Sequence, residues 1–182
     1  MEFLPKSAGL VVPILAVALC LSATTSADPL PEYISSKYIG PITKWLTTNP
    51  GYRLAVDADC SCADDIERVR AGNPPVWPPI PAYHLFYVVG DFRSDGAEDV
   101  AVGVIAIKRA DKFRVLIIHG KPANGPIAKP FLSEELDFRQ GLFYGPPRPK
   151  PRRLLVGPFE SEGVTFEPAR GGYRMSDEGS DD

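Results

Sequence analysis

The chain has 182 residues, of which 24% are charged, and its formal net charge at pH 7 is −3. This length is typical of a single domain. Because acidic and basic residues nearly balance, no overall positive field is available to attract nucleic acid or an anionic membrane. The composition therefore indicates that neither is a partner.

The first 27 residues predict a secretory signal peptide. A short polar start with one lysine precedes an apolar run over residues 8–21, and small side chains follow it up to Ala27. This order of regions is typical of exported proteins, and the run is short and interrupted by Pro13, which makes it unsuited to a membrane span. We expect cleavage after Ala27, a secreted or periplasmic protein, and no stable membrane span in the mature chain.

The segment Pro31–Thr48 predicts helical structure that is interrupted at Gly40-Pro41. Its large apolar side chains recur at helical spacing on one face: Ile34, Tyr38, Ile42, Trp45 and Leu46. Because a proline inside a helix lacks the N–H donor, we expect either two short helices or one kinked helix. Residues Tyr52–Val56 follow as a short predicted strand.

A second helix is predicted over Ser61–Gly72. Ser61 can cap its first turn, with Asp64 three residues later in the capping-box position, and Gly72 suits the left-handed stop. The proline-rich segment Asn73–Pro81 that follows predicts an extended linker.

The centre of the chain predicts three consecutive strands, over residues 84–90, 98–108 and 113–119. The segment Val100–Ile107 is apolar on both faces, which indicates a central strand covered on both sides. Residues 110–112 are expected to form the turn before the third strand. A meander of neighbouring strands is the simplest pairing.

The C-terminal third predicts shorter elements. Strands are expected over residues 141–144 and 154–159, and residues 164–166 and 173–175 predict a closing hairpin. Residues 131–139 are ambiguous and suggest a short helical turn.

Taken together, residues 28–175 predict one α+β domain, and residues 176–182 predict a disordered acidic tail. The expected architecture is an antiparallel sheet of about five to seven strands, with the N-terminal helices packed on one face.

An aspartate-rich loop, DFRSDGAED, separates the first two central strands. Asp91, Asp95 and Asp99 place carboxylates at the first, fifth and ninth positions of the loop, where oxygen ligands can converge on calcium, and Gly96 allows the sharp turn. Arg93 stands where such a loop needs an asparagine or aspartate oxygen, and a guanidinium accepts no hydrogen bond. Two interpretations remain: a calcium site, or a turn that Arg93 neutralises by salt bridges.

Residues 87–103 resemble a single FG-GAP or VCBS-type repeat. The matching residues are Val89-Gly90-Asp91-Phe92, Ser94-Asp95-Gly96 and Asp99-Val100-Ala101-Val102-Gly103. The resemblance implies a strand that enters a calcium-binding loop and leaves as a second strand. One copy cannot close a propeller, so the resemblance implies no propeller.

Cys60 and Cys62 are the two cysteines that remain after signal cleavage. In an oxidising compartment they could form a small disulfide or stay as thiols. They could also bind a metal together with His84 and His119, although the spacing matches no standard zinc pattern. Thiol redox catalysis is the remaining interpretation.

The sequence contains no nucleophile elbow, no H-E-x-x-H motif and no phosphate-binding glycine loop. It therefore favours an exported, non-catalytic binding or structural module whose partner is an unknown protein or an envelope polymer. The basic, proline-rich residues 148–153 could present cations to such a polymer or serve as a connector. The alternative is an extracytoplasmic hydrolase-like or thiol redox enzyme that uses Cys60 and Cys62 or the Asp91 loop.

Overall fold

The structure, a computed structural model, describes residues 29–75, 78–122, 127–138, 140–144, 153–158 and 163–177. The predicted signal peptide, most of the basic segment and the end of the predicted acidic tail lie outside the described residues. The described elements, in chain order, are α1 (Ser36–Thr48), β1 (Tyr52–Leu54), a 3-10 helix (Asp57–Asp59), α2 (Ala63–Ala71), β2 (Tyr87–Gly90), β3 (Asp99–Ala106), β4 (Arg109–Ile118), β5 (Phe131–Leu132), β6 (Leu136–Asp137), β7 (Gly141–Phe143), β8 (Leu154–Gly157), β9 (Val164–Ala169) and β10 (Gly172–Asp177).

Strands β3 and β4 form the centre of a six-stranded antiparallel sheet. Strands β1 and β2 pair one after the other along the outer edge of β3, and β5 and β6 do the same along β4. Seven of the eight residues of β3 are buried. The prediction of a central strand covered on both sides is confirmed.

A second antiparallel sheet has the strand order β10-β9-β8-β7. It contacts the segment just before β2, where the Leu142 N–H in β7 donates to the Leu85 carbonyl, at 2.9 Å. The protein is therefore mixed α+β, as predicted, but its strands form two sheets where the sequence predicted one. Hydrophobic patterns identify strands, whereas the choice of partner strand depends on contacts between residues far apart in the chain.

The two faces of β3 belong to different cores, because successive side chains of a strand point to opposite sides. The first core combines the region of α1 with one face of the sheet: Ile34, Tyr38, Ile42, Val100, Val102, Val104, Leu116 and Ile118. The second combines α2, the opposite face and the second sheet, and includes Ile66, Val69, Ala101, Ile105, Val115, Ile117, Leu142, Val156 and Phe166. The two helices thus serve different cores, and the prediction that both pack on one face is wrong.

Both helices differ from their predicted forms in detail. Helix α1 is one continuous helix with Pro41 inside it. Proline has no backbone N–H to donate within the helix, but Pro41 lies on the exposed side, where water is available to the carbonyl that loses this donor. Helix α2 has Cys62 as its N-cap residue in place of Ser61. It ends at Gly72 with φ 72°, as predicted. Neither described helix has the length and apolarity that crossing a membrane requires.

Three predicted local features also differ. Strand β4 begins at Arg109, so residues 110–112, predicted as a turn, belong to the strand. Residues 131–139 contain β5 and β6 where a helical turn was suggested. Strand β10 continues to Asp177, two residues into the predicted tail. Residues 110–112 are largely exposed although they lie in a strand, and the polar residues between β5 and β6 include the buried Ser133.

Ser133 connects β5 to β6 and completes the edge of the first sheet. Its N–H donates to the Val115 carbonyl at 2.9 Å, and its Oγ accepts from the Val115 N–H at 2.8 Å. The Ser133 side chain, which is 2% exposed, therefore takes the place of a backbone acceptor between two short strands.

Replacing Ser133 with alanine should destabilise the protein by about 1–3 kcal/mol, because it leaves the Val115 N–H buried without an acceptor. Urea unfolding of the mature protein measures this difference. Ser35→Ala is the matched control, since Ser35 is exposed and caps α1 without a side-chain hydrogen bond. Equal losses in the two variants would contradict the assigned role of Ser133.

Candidate functional site

The aspartates of the Asp91 loop shape the loop itself. Asp91 accepts through Oδ1 from the Asp95 N–H at 3.0 Å and through Oδ2 from the Gly96 N–H at 2.8 Å. Asp95 Oδ1 accepts from the Ala97 N–H at 3.0 Å. The backbone turns through positive φ at Ser94 (54°) and Gly96 (81°). Both oxygens of Asp91 are thus occupied by backbone donors.

Arg93 lies between the other two aspartates. Its Nη2 is 2.9 Å from Asp95 Oδ2 and 3.5 Å from Asp99 Oδ1. These contacts match the interpretation of a loop neutralised by its own arginine. Within the described part of the chain, no group of three or more His, Cys, Asp or Glu side chains is placed to hold a metal ion. As it stands, the loop does not fit calcium, because a fixed positive charge lies among the expected ligands.

Asp99 ties the loop to both sheets and is fully buried. Its Oδ1 accepts from the Gly120 N–H at 2.9 Å and lies 3.4 Å from His119 Nδ1, an ion-pair distance without hydrogen-bond geometry. The His119 ring stacks on Tyr173 of β10. Burial, and then the negative charge of Asp99, raises the pKa of Tyr173 well above its usual range.

Tyr144 packs the first half of the loop against the second sheet. Its hydroxyl donates to the Asp91 carbonyl at 2.7 Å, and its ring meets Phe92 edge-on at 5.1 Å. Gly90 is required beneath the Tyr144 ring, since a Cβ there would lie 2.2 Å from it. Packing thus accounts for Gly90 and Phe92, two residues of the FG-GAP-like motif.

A second polar cluster, which we call the Asp57 network, joins the 3-10 helix, α2 and the segment before β2. Asp57 Oδ1 accepts from the Leu85 N–H at 2.9 Å. Its Oδ2 lies 3.0 Å from His84 Nδ1 and 3.1 Å from Arg70 Nη2. The sequence suggested His84 as a possible metal ligand with the two cysteines and did not connect it with Asp57. No local spacing could reveal this network, because its members are far apart in the chain.

Tyr33 covers one face of the His84 imidazole. The two ring centroids are 3.7 Å apart and the planes differ by 13°. Burial, and then the charges of Asp57 and Asp59, raises the pKa of Tyr33 to about 12. His84 Nε2 makes no hydrogen bond to any described residue, and the side chain keeps 21% of its surface exposed.

Cys60 and Cys62 form a disulfide. Both residues are 7% exposed and belong to the same core as Ile66 and Val69. The cysteines are bonded to each other, and the described residues do not bring them together with His84 and His119 as a metal site. Of the alternatives left open by the sequence, the disulfide is present.

Comparisons with known proteins identify no relative. No family model matches the chain, and no curated protein or solved structure shows significant similarity to it. The resemblance of residues 87–103 to an FG-GAP or VCBS-type repeat therefore stays a prediction.

Replacing Arg93 with methionine should lower the free energy of unfolding by roughly 2–3 kcal/mol, since the buried Asp99 loses its cation. Urea unfolding at pH 7 measures the loss. Arg109→Met is the control, because Arg109 pairs with Glu135 at 3.1 Å but is 57% exposed, and exposed pairs contribute less than about 1 kcal/mol. A loss in the Arg93 variant no greater than the control's would show that Asp99 does not depend on Arg93.

Arg93→Asn tests the calcium interpretation directly. The change removes the competing charge and supplies an oxygen at the third loop position, so calcium should raise the melting temperature of the variant. Wild type should show no such rise at the same millimolar concentration. A calcium-dependent rise in wild type would restore the calcium interpretation of Asp91, Asp95 and Asp99. No response in either protein would reduce the motif to a turn.

Proposed function

We propose that the protein is an exported, non-catalytic binding module that acts outside the cytoplasm on a component of the cell envelope. The observation that carries this proposal is the buried disulfide between Cys60 and Cys62. Disulfides persist in oxidising compartments and are rare in the reducing cytosol. The disulfide therefore supports the export that the first 27 residues predict.

The disulfide also has a defined place in the fold. Cys60 is the C-cap residue of the 3-10 helix that carries Asp57, and Cys62 is the N-cap residue of α2, which carries Arg70. The covalent bond thus joins the two elements that present the carboxylate and the guanidinium of the Asp57 network. This arrangement supports a role for the disulfide in holding a surface rather than in exchanging electrons.

The charged groups of the Asp91 loop support a structural role for that loop. Asp91 accepts from loop amides, Arg93 pairs with Asp95, and Asp99 is buried where the two sheets meet. A catalytic role would need side chains that are available to a substrate. We therefore assign the loop to the framework and not to the binding surface.

Export and oxidation can be tested together on the full chain, tagged at its C-terminus and expressed in a bacterial host with an oxidising periplasm. Intact mass of the extracytoplasmic protein should correspond to cleavage after Ala27 and to one disulfide. Alkylation without reductant should modify neither cysteine, and alkylation after reduction and unfolding should modify both. Uncleaved protein in the cytoplasm, or exported protein with two free thiols, would contradict the proposal.

Binding can be tested by mixing mature protein with purified cell envelopes and sedimenting them. The protein should pellet with the envelopes in a saturable manner, and an excess of untagged protein should compete. Envelopes treated beforehand with protease distinguish a polymer partner from a protein partner. Failure to pellet with either preparation would contradict the binding role.

A further inference from the structure

We propose that Tyr33, His84 and Tyr87 form a binding site for a hydroxyl-rich segment of an envelope polysaccharide. The proposal rests on the binding function proposed above and specifies its ligand and its site. It begins from His84 Nε2 and the Tyr33 hydroxyl, which make no hydrogen bonds to described residues although the groups around them are held by internal contacts.

The His84 ring presents a defined acceptor to solvent. A carboxylate can only accept, so the 3.0 Å contact with Asp57 places the imidazole proton on Nδ1. In the neutral ring, Nε2 then carries the lone pair and accepts a hydrogen bond. A neutral His84 therefore offers Nε2 as an acceptor in a position that the Asp57 contact holds.

The groups behind His84 are already satisfied, so they hold the ring without competing for a ligand. Arg70 donates from Nε to the Tyr83 carbonyl at 3.0 Å and from Nη1 to Glu67 at 2.7 Å, and its Nη2 reaches Asp57. Asp57 also accepts from the Leu85 N–H. A ring held in this way loses little conformational entropy on binding.

Tyr33 supplies a donor beside this acceptor. Its hydroxyl is protonated at neutral pH, as in any tyrosine, and burial and the nearby aspartates raise the pKa of Tyr33 further, to about 12. Hydroxyl groups of a sugar can donate to His84 Nε2 and accept from Tyr33 Oη, so the two side chains match both hydrogen-bonding roles of such a ligand.

Two aromatic rings stand beside these polar groups. The Tyr33 and Tyr87 ring centroids are 5.8 Å apart with planes inclined at 58°, and the Tyr87 hydroxyl is held by the Ser35 N–H at 3.2 Å. A tyrosine has apolar ring faces and a polar hydroxyl at one end, which suits a ligand whose surface alternates C–H groups with hydroxyl groups. A polysaccharide has this alternation.

A protein partner is less favoured at this site. Protein interfaces centre on a patch of buried apolar side chains. The large hydrophobic side chains exposed in the described ranges are Ile39, Ile107 and Ile127, which stand on α1, the β3–β4 turn and the loop before β5. None of them belongs to the Tyr33–His84 cluster.

The test is a titration of isotope-labelled mature protein with three tetrasaccharides: cellotetraose, chitotetraose and tetragalacturonate. At least one should produce saturable shifts of backbone amide signals at Tyr33, His84 and Leu85. The three probes separate neutral, N-acetylated and acidic polymers. No saturable shift with any of them would overturn the proposal.

His84→Asn is the decisive variant, because an asparagine amide can still donate to Asp57 but leaves nothing at the Nε2 position. Affinity should fall about five- to tenfold, as expected for the loss of one hydrogen bond. Tyr33→Phe, which keeps the stacked ring and removes only the hydroxyl, should weaken binding by a similar factor and covers the case in which the first variant fails to fold. Tyr52→Phe, at a half-buried aromatic pair with Trp45, should bind as wild type. Unchanged affinity in Tyr33→Phe and in a folded His84→Asn would overturn the site.

The envelope assay separates this proposal from the proposed function. If envelopes retain the protein and protease treatment abolishes retention, the binding function stands and the polysaccharide site is wrong. If retention survives protease but is equal in wild type and His84→Asn, the polymer binds elsewhere. If no envelope preparation retains the protein, both proposals fail.

Discussion

The burial of β3 on both faces is the constraint on which the rest of the structure depends. A strand with seven of its eight residues buried needs an apolar layer on each side. Helix α1 covers one face, while α2 and the second sheet contribute to the core on the other. Since truncating one large core side chain costs about 2–5 kcal/mol and a whole domain is stable by only about 5–15 kcal/mol, neither layer is dispensable.

The start of β3 carries a buried carboxylate, and the loop before it offsets part of the free-energy cost of burying that charge. An uncompensated buried carboxylate is strongly unfavourable. Asp99 accepts a hydrogen bond from the Gly120 N–H and lies near the guanidinium of Arg93. A calcium ion and an arginine are alternative sources of positive charge for such a loop. Here the positive charge comes from Arg93, which belongs to the loop itself. Tyr144 hydrogen-bonds the loop at Asp91, and Tyr173 of the second sheet stacks on His119 beside Asp99. The same loop therefore connects the two sheets.

The disulfide and the Asp57 network organise a different part of the surface. Cys60 and Cys62 join the elements that carry Asp57 and Arg70, and Asp57 in turn orients His84 beneath Tyr33. Rigid elements that leave one acceptor and one donor facing solvent are what a binding site requires. In the proposed function, the polar residues of the Asp91 loop serve the framework, and the groups at His84 without internal hydrogen bonds serve recognition.

Local sequence patterns determined the β2–β3 hairpin, the double-sided burial of β3 and the end of α2 at Gly72, because each depends on the periodicity or conformational preference of neighbouring residues. The position of Arg93 among three aspartates also indicated a self-neutralised loop, since the charges are close in sequence. Only the tertiary structure decided that the strands divide into two sheets, that α1 and α2 serve opposite faces, and that Ser133 replaces a backbone acceptor. It alone brought Asp57 to His84 across 27 positions. These outcomes depend on which distant segments meet, and no pattern of adjacent residues contains that information.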